Sequence, residues 1–288
     1  MKRTLSRKLF QRVEKLTLYL HAVDTVVVET LSPHISGVKE LSMSGTAVGD
    51  TILPLVPPQL EKLSLTGGIV FPFGKVVLNK LTHISFAEER VHEGKEVCDI
   101  FNNSLVGIKS LKFLQTKVFN LDWESLLSVH GNKLEELVLT STISKQEFVE
   151  EDTLKAISKY CKNLKELCVH FGRFGNLTLM DLCDNSRKIE SLTLQECTST
   201  TFACISQLKK LKFLRLNQSN ISESDLTEIL SSLKNLEILH LAVFKFEEAH
   251  IELISSMQNL KSVMVPTSFM EHPSLKKNGV RVIGQFVN

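Results

Sequence analysis

The residues of this sequence most able to do chemistry are its nine histidines and six cysteines. A zinc site needs four ligands, usually in closely spaced pairs, but the cysteines form no Cys-x-x-Cys pair. They stand at positions 98, 161, 168, 183, 197 and 204. No serine and aspartate accompany the histidines at a spacing that supports a catalytic triad, and there is no glycine-rich phosphate loop. The sequence therefore predicts a protein that is not an enzyme and needs no metal or cofactor.

Composition excludes further classes of function. The 288 residues contain 34 Lys and Arg against 32 Asp and Glu, and the net charge of +2 gives no electrostatic basis for binding nucleic acid. No uncharged apolar run approaches the roughly 18 residues that span a bilayer. Scattered cysteines in a chain of this size are typical of reduced thiols in an intracellular protein. We therefore expect a cytoplasmic or nuclear protein whose partner is another protein.

The elements that position these residues come from an internal repeat. An apolar residue, most often leucine, recurs at the first, fourth and sixth positions of a short template, and successive copies start about 25 residues apart. The eleven copies start at positions 13, 38, 60, 81, 111, 134, 164, 189, 211, 236 and 260. Residues 280–283 predict a closing strand after the last copy.

A second position supports a leucine-rich repeat. Five residues after the sixth template position such repeats carry another apolar side chain, and nine of the eleven copies do so. The nine are Val23, Val48, Val70, Val91, Leu121, Phe174, Ile221, Phe246 and Met270, and the exceptions are Ser144 and Ser199. Helical spacing of apolar residues predicts helices over 147–160, 222–233 and 248–257. We therefore predict an α/β leucine-rich-repeat solenoid of eleven or twelve repeats, curved, with a parallel inner sheet and outer helices.

The repeats carry a family resemblance. Segments 161–169 (CKNLKELCV), 189–197 (IESLTLQEC) and 211–229 (LKFLRLNQSNISESDLTEI) resemble the cysteine-containing repeats of F-box/LRR proteins. In that family a Cys or Asn follows the Leu-x-Leu motif by three residues and hydrogen-bonds the turn, and only Cys197 matches this position here. The resemblance runs from about Val13 to Val282.

The resemblance implies a function as well as a fold. It implies substrate recognition in a Skp1–cullin type ubiquitin ligase. It does not cover the family's F-box, the helical module that docks Skp1. We therefore expect either a relative made of repeats alone or a protein whose F-box lies elsewhere.

Positions that alternate with the ladder leucines should face the inner side of the sheet. In the N-terminal half they are small and hydroxylic, as at Thr17, Ser42 and Ser64, and from the fifth repeat they become larger. Binding energy concentrates where aromatic and arginine side chains cluster, which favours the C-terminal half as the binding surface. The alternative is that these are ordinary solvated strand residues. The predicted binding residues are Gln115, Lys117, His170, Phe171, Gln195, Arg215, Asn217, His240 and Phe244.

The first twelve residues form a separate segment. They contain five basic residues and no acid, and Leu5, Leu9 and Val13 recur every four positions. We predict a capping helix over residues 1–12, followed by the solenoid over 13–288. The alternative is a mitochondrial targeting segment, which would indicate a mitochondrial assembly or coupling factor made of leucine-rich repeats. With residues 275–287 covering the other end, we expect a monomer.

Overall fold

A computed structural model describes most of the predicted solenoid. The described residues are 13–20, 30–46, 53–67, 77–87, 107–114, 121–140, 149–199, 201–218, 221–243, 246–276 and 279–285. The predicted capping helix over residues 1–12 lies outside them, so the division into a cap and a solenoid stays a prediction. The chain forms two compact units, one comprising Met1–Leu134 with Ser141–Ile143 and the other Glu135–Thr140 with Ser144–Asn288.

The first unit contains five described strands. They are β1 (Lys15–Leu20), β2 (Glu40–Gly45), β3 (Lys62–Gly67), β4 (His83–Ala87) and β5 (Ser110–Leu114). Each strand pairs in parallel with the next one along the chain. The described segments between them include short 3-10 turns at Ser32–His34 and Leu53–Leu55. Helix α1 (Trp123–His130) follows β5, and Asp122 Oδ1 caps it by accepting from the Ser125 N–H at 3.0 Å. Another 3-10 turn, Gly131–Lys133, follows α1.

The second unit contains seven described strands and five described α-helices. The strands are β6 (Glu136–Thr140), β7 (Glu166–His170), β8 (Ser191–Gln195), β9 (Phe213–Gln218), β10 (Ile238–Val243), β11 (Ser262–Pro266) and β12 (Arg281–Gln285). They too pair in parallel and in chain order. The helices are α2 (Glu151–Tyr160), α3 (Asn176–Asn185), α4 (Glu223–Ser232), α5 (Glu248–Ser255) and α6 (Pro273–Lys276). Two 3-10 turns, Ala203–Gln207 and Thr267–Phe269, complete the set.

The template leucines form the core of each unit. In the second unit Leu167, Val169, Leu192 and Leu194 alternate along β7 and β8 and are at most 2% exposed. The helices bury one side each, as α4 does with Leu226, Ile229 and Leu230. The strands are parallel and in chain order, their template residues face the buried core, and helices connect them. The repeat predicts this arrangement.

The second apolar position is fully or partly buried wherever it is described. Phe174, Ile221 and Phe246 are buried, and Met270 is half-buried. The predicted start of the fifth copy at 111 is wrong by three residues, because Leu111 pairs with Ile84, the fourth template position of the copy before it. That copy is Ile108, Leu111 and Phe113, all buried, so the buried Leu121 is not its second apolar position. Ser199, an exception in the sequence pattern, is buried as well, because its Oγ donates to the Thr201 carbonyl at 2.9 Å. The corresponding residues at 23, 48, 70, 91 and 144 lie outside the described part of the chain.

Repeat length decides the kind of connection. The step from Leu211 to Leu236 is 25 residues and contains the ten-residue α4, which Ser222 caps through the Asp225 N–H at 3.1 Å. The step from Ile189 to Leu211 is 22 residues and contains a five-residue 3-10 turn instead. Helices α2 and α5 are shorter than expected, because α2 begins at Glu151 and α5 ends at Ser255. None of the described helices is long and apolar enough to cross a membrane.

Candidate functional site: the inner face of the second unit

Register places the side chains between the template leucines in one row across each unit. In the first unit the row is Thr17, Ser42, Ser64, Ser85 and Lys112. In the second unit it is Val138, Cys168, Thr193, Arg215, His240, Met264 and Ile283. The first row is mostly hydroxylic, and the second contains larger and chemically more varied side chains.

Five predicted binding residues share two adjacent rows of the second unit. Arg215 and His240 are direct register partners in β9 and β10. One row further along the strands, His170 pairs with Gln195 and Gln195 with Asn217. All five are half-buried on the inner face, and we call them the Arg215 cluster. The other predicted residues Gln115, Lys117 and Phe244 lie outside the described residues, so their part in the site stays a prediction.

Both imidazoles of the cluster favour their neutral form. Burial lowers the pKa of His170 below its ordinary value, and the positive charge of Arg215 lowers it further. The same two causes, in the same order, lower the pKa of His240. The His240 ring packs edge-on against Phe213 with centroids 5.4 Å apart, and its Nδ1 is buried without a hydrogen-bond partner among the described residues.

Two strands of the cluster, β7 and β8, end in strained backbone. Phe171 and Glu196, directly after β7 and β8, have φ angles of 57° and 51°, in the left-handed region that non-glycine residues avoid. Their main-chain N–H groups donate to Gln195 O and Asn217 O, both at 2.8 Å. Phe171 is a predicted binding residue, and its half-buried side chain borders the cluster. Glu196 was missed because sequence gives no sign of a positive φ at a glutamate.

The first unit has glycine at the equivalent positions. Gly45 and Gly67 stand at the same distance after their template residues, with φ angles of 126° and 90°. A Cβ atom on Gly45 would lie 2.1 Å from the Leu20 carbonyl oxygen, and one on Gly67 would lie 2.7 Å from the Gly45 oxygen. The first unit therefore admits no side chain at Gly45, whereas the second unit carries side chains at this position in spite of the strain.

Most basic residues at the edge where the strands begin are engaged within the chain. Lys165 Nζ lies 2.6 Å from Glu135, Lys212 Nζ 2.7 Å from Glu190, and Lys261 Nζ 2.5 Å from Glu237. In the first unit Lys39 pairs with Glu14 at 2.9 Å in the same way. We call this row the Lys–Glu ladder. Because its members are 22 to 30 residues apart in sequence, only the register of the sheet brings them together.

The surroundings of the described cysteines fit a role in packing. Burial raises the pKa of Cys161 to about 12, and the sulfur atoms of Cys183 and Cys204 are 3.5 Å apart in the buried layer. Cys197, in the turn after β8, donates from Sγ to the carbonyl oxygens of Val169 in β7 and of Gln195 at the end of β8, both at 3.5 Å. Cys168 is half-buried on the inner face. The described residues contain no cluster of His, Cys, Asp or Glu that could hold a metal ion.

Comparison with known proteins supports the fold. No protein-family description and no curated protein matches the sequence. The crystal structure of the yeast Rad7 and Elc1 complex matches with a TM-score of 0.61 and 15% identity over 97% of this chain and 83% of that one. An internalin of Listeria monocytogenes matches with a TM-score of 0.55 and 15% identity, over 90% of this chain and 70% of that one.

A third neighbour is a leucine-rich-repeat protein of Leptospira interrogans. It has a TM-score of 0.50 and 15% identity over 97% of this chain and 86% of that one. Identities this low show the fold alone. Together with the parallel strands in chain order, these neighbours confirm the predicted α/β leucine-rich-repeat solenoid.

Proposed function

We propose that the protein is an interaction scaffold that binds a protein partner on the inner face of its second unit. The observation that carries the proposal is the Arg215 cluster, in which an arginine, two histidines and two amide side chains stand half-buried in adjacent rows of one sheet face. Arginine and aromatic side chains in partly desolvated positions supply most of the energy in protein interfaces.

The apolar surroundings of the cluster also favour a protein partner. Phe213 and Ile238 precede Arg215 and His240 in their strands, and Met264 follows His240 in register; all three are half-buried rather than fully covered. A partner side chain placed here would bury apolar area beside polar groups, which is the composition of an interface core and its rim.

Strain beside the cluster is a second support. Holding a non-glycine residue in the left-handed region costs about 1–2 kcal/mol, and Phe171 and Glu196 are both held there. Strain of this kind gathers at binding sites because the side chain is needed there. In the first unit, glycine serves at the same positions.

A more specific function follows from the family resemblance. We propose that the inner face recognises substrates for a Skp1–cullin type ubiquitin ligase. The hydrogen bonds of Cys197 at the turn agree with the cysteine-containing repeat type. One structural neighbour is itself a two-protein complex, that of Rad7 and Elc1.

A photo-crosslinking experiment tests the scaffold function. A crosslinking amino acid replaces Gln195 on the inner face, or Lys155 on the exposed side of α2 as a control. We expect the protein with the crosslinker at position 195 to capture a partner in its native cells. The same protein with Arg215→Ala and His240→Ala should no longer capture that partner. Capture from position 155 alone would contradict the proposal.

A separate measurement tests the ligase function. Mass spectrometry of the full-length protein purified from its native source should find Skp1 and a cullin together with the inner-face partner. If the inner-face partner is present and Skp1 and cullins are absent, the ligase function is wrong and the scaffold function stands.

A further inference from the structure

The basic residues of the second unit differ in how their charge is used. Lys165, Lys212 and Lys261 are engaged in the Lys–Glu ladder, and Arg187 pairs with Asp184 at 3.1 Å. Arg215 stands apart from them, because no carboxylate among the described residues forms an ion pair with it. A half-buried guanidinium without a counter-charge is a strong donor group that lacks an acceptor.

The two imidazoles add donor capacity on either side of Arg215. Arg215 is close enough to both histidines for its charge to lower both pKa values, after burial has done so. Nδ1 of His240 is buried and has no hydrogen-bond partner within the described part of the chain, so Nε2 is the ring nitrogen left to donate to a ligand. An anion placed among the three residues would offset the charge of Arg215 and accept hydrogen bonds from the imidazoles.

The surrounding groups do not supply that anion. The facing residues on the adjoining strands are uncharged, namely Val138, Thr193, Gln195, Asn217 and Met264. The charged and titratable groups elsewhere along these strands are Cys168, Glu136, Glu166 and Arg281, with Glu196 directly after β8. None of these carboxylates is among the causes that shift the two imidazoles, whereas Arg215 acts on both.

We propose that Arg215, His170 and His240 form a carboxylate-recognition site that takes an Asp or Glu side chain from an acidic segment of the partner protein. This inference rests on the proposed scaffold function and names the chemistry of the same face. Arginine binds a carboxylate through two parallel hydrogen bonds, and the apolar side chains of Phe213, Ile238 and Met264 suit an aliphatic residue beside the acid. A nucleic acid would need a row of free cations, and the Lys–Glu ladder offers none.

The experiment that tests the site begins by selecting a peptide ligand. Random twelve-residue peptides are displayed and selected on the full-length protein, and each enriched peptide is retested on Arg215→Gln. We expect the peptides whose binding depends on Arg215 to share an Asp or Glu next to an aliphatic residue. For one such peptide, Arg215→Gln and the amide version of its acid should each weaken binding about tenfold, and the two changes together should weaken it no further.

Controls separate this site from general charge effects. Arg187→Gln removes the same charge from a residue outside the inner face and should leave peptide affinity unchanged. Binding of the acidic peptide should tighten as the pH falls through the imidazole range, because protonated His170 and His240 add positive charge beside the carboxylate. The doubly substituted His170→Gln, His240→Gln form should lose that pH dependence.

Each other outcome has a definite meaning. If peptides depend on the inner face but lack acids, the carboxylate site is wrong and the scaffold function stands. If no enriched peptide depends on any inner-face residue, both are wrong. If a phosphoserine version binds more than tenfold tighter than the carboxylate peptide, the site recognises phosphate and the assignment to Asp or Glu is overturned.

Discussion

The two units of this protein share the same repeat and differ at the inner-face positions, where the repeat does not require an apolar residue. The template leucines are buried in both, and the Lys–Glu ladder occurs in both. The inner row is mostly hydroxylic in the first unit, and it contains Arg215 and His240 in the second. Repeats of one backbone design can therefore present chemically different inner faces, and the proposed function assigns binding to the inner face of the second unit.

The strain after the strands follows the same division. Glycine occupies the left-handed position in β2 and β3, whereas Phe171 and Glu196 occupy it after β7 and β8. The second unit also keeps two imidazoles that resist protonation. The backbone strain lowers stability, and the imidazoles lower it only as the pH falls through their titration range. Both features lie in or beside the cluster that we propose for binding.

The largest effect that separates the two units should come from Gly45→Ala. The added Cβ would meet the Leu20 carbonyl oxygen at 2.1 Å, and backbone cannot move aside as a flexible side chain can. We expect a loss of about 3 kcal/mol in the free energy of unfolding, measured by urea denaturation. Glu196→Ala, at the equivalent position of the second unit, should change little, because that site already has a Cβ. Equal effects of the two changes would remove the contrast.

Glu196→Gly should have the opposite sign. Glycine relieves the left-handed strain, and after the greater freedom of glycine in the unfolded chain is subtracted we expect a gain of about 0.5–1 kcal/mol. Glu196→Ala is the matched control, since it removes the same carboxylate and keeps the strain. A glycine protein less stable than the alanine protein would show that the backbone is not strained here.

The pH dependence of stability should differ after the imidazoles are removed. Because burial and Arg215 lower both pKa values in the folded state, the stability present above the unfolded histidine pKa is lost as the pH falls toward the folded pKa. The Tm of the wild type should therefore fall more steeply between about pH 7 and pH 5.5 than that of His170→Gln, His240→Gln. Calorimetry with identical slopes for the two proteins would contradict this.

The smallest effect tests the feature that the units share. Lys39→Glu and Lys212→Glu each place a third acid in a row, beside Glu14 and Glu61 in the first unit and beside Glu190 and Glu237 in the second. Both substitutions should lower Tm slightly and by similar amounts. At about 1 M salt the difference in Tm from the wild type should disappear, because these charges are exposed. A clear effect in one unit alone would mean that the ladder is not equivalent in the two.

Features set by packing could be predicted from sequence. A buried position between strands and helices accepts only apolar side chains, so the template at Leu167, Leu192 and Leu214 shows both the repeat and the face of each strand. The same alternation predicts that His170, Arg215 and His240 lie on the inner face.

Features set by strand register or by a backbone angle could not be predicted from the sequence. The partners of the Lys–Glu ladder are unrelated by local spacing, and a positive φ at Phe171 leaves no trace in the sequence. The short connection after Ile189 was open to prediction from the 22-residue step, since an α-helix of ten residues needs the longer repeat.

The central claim is that the second unit binds and that the first does not. The most direct measurement compares the affinity of a selected acidic peptide for Arg215→Gln with its affinity for Lys112→Gln. Lys112 occupies the corresponding inner row of the first unit. The account predicts about a tenfold loss for Arg215→Gln and no change for Lys112→Gln. Equal losses, or a loss at Lys112 alone, would contradict it.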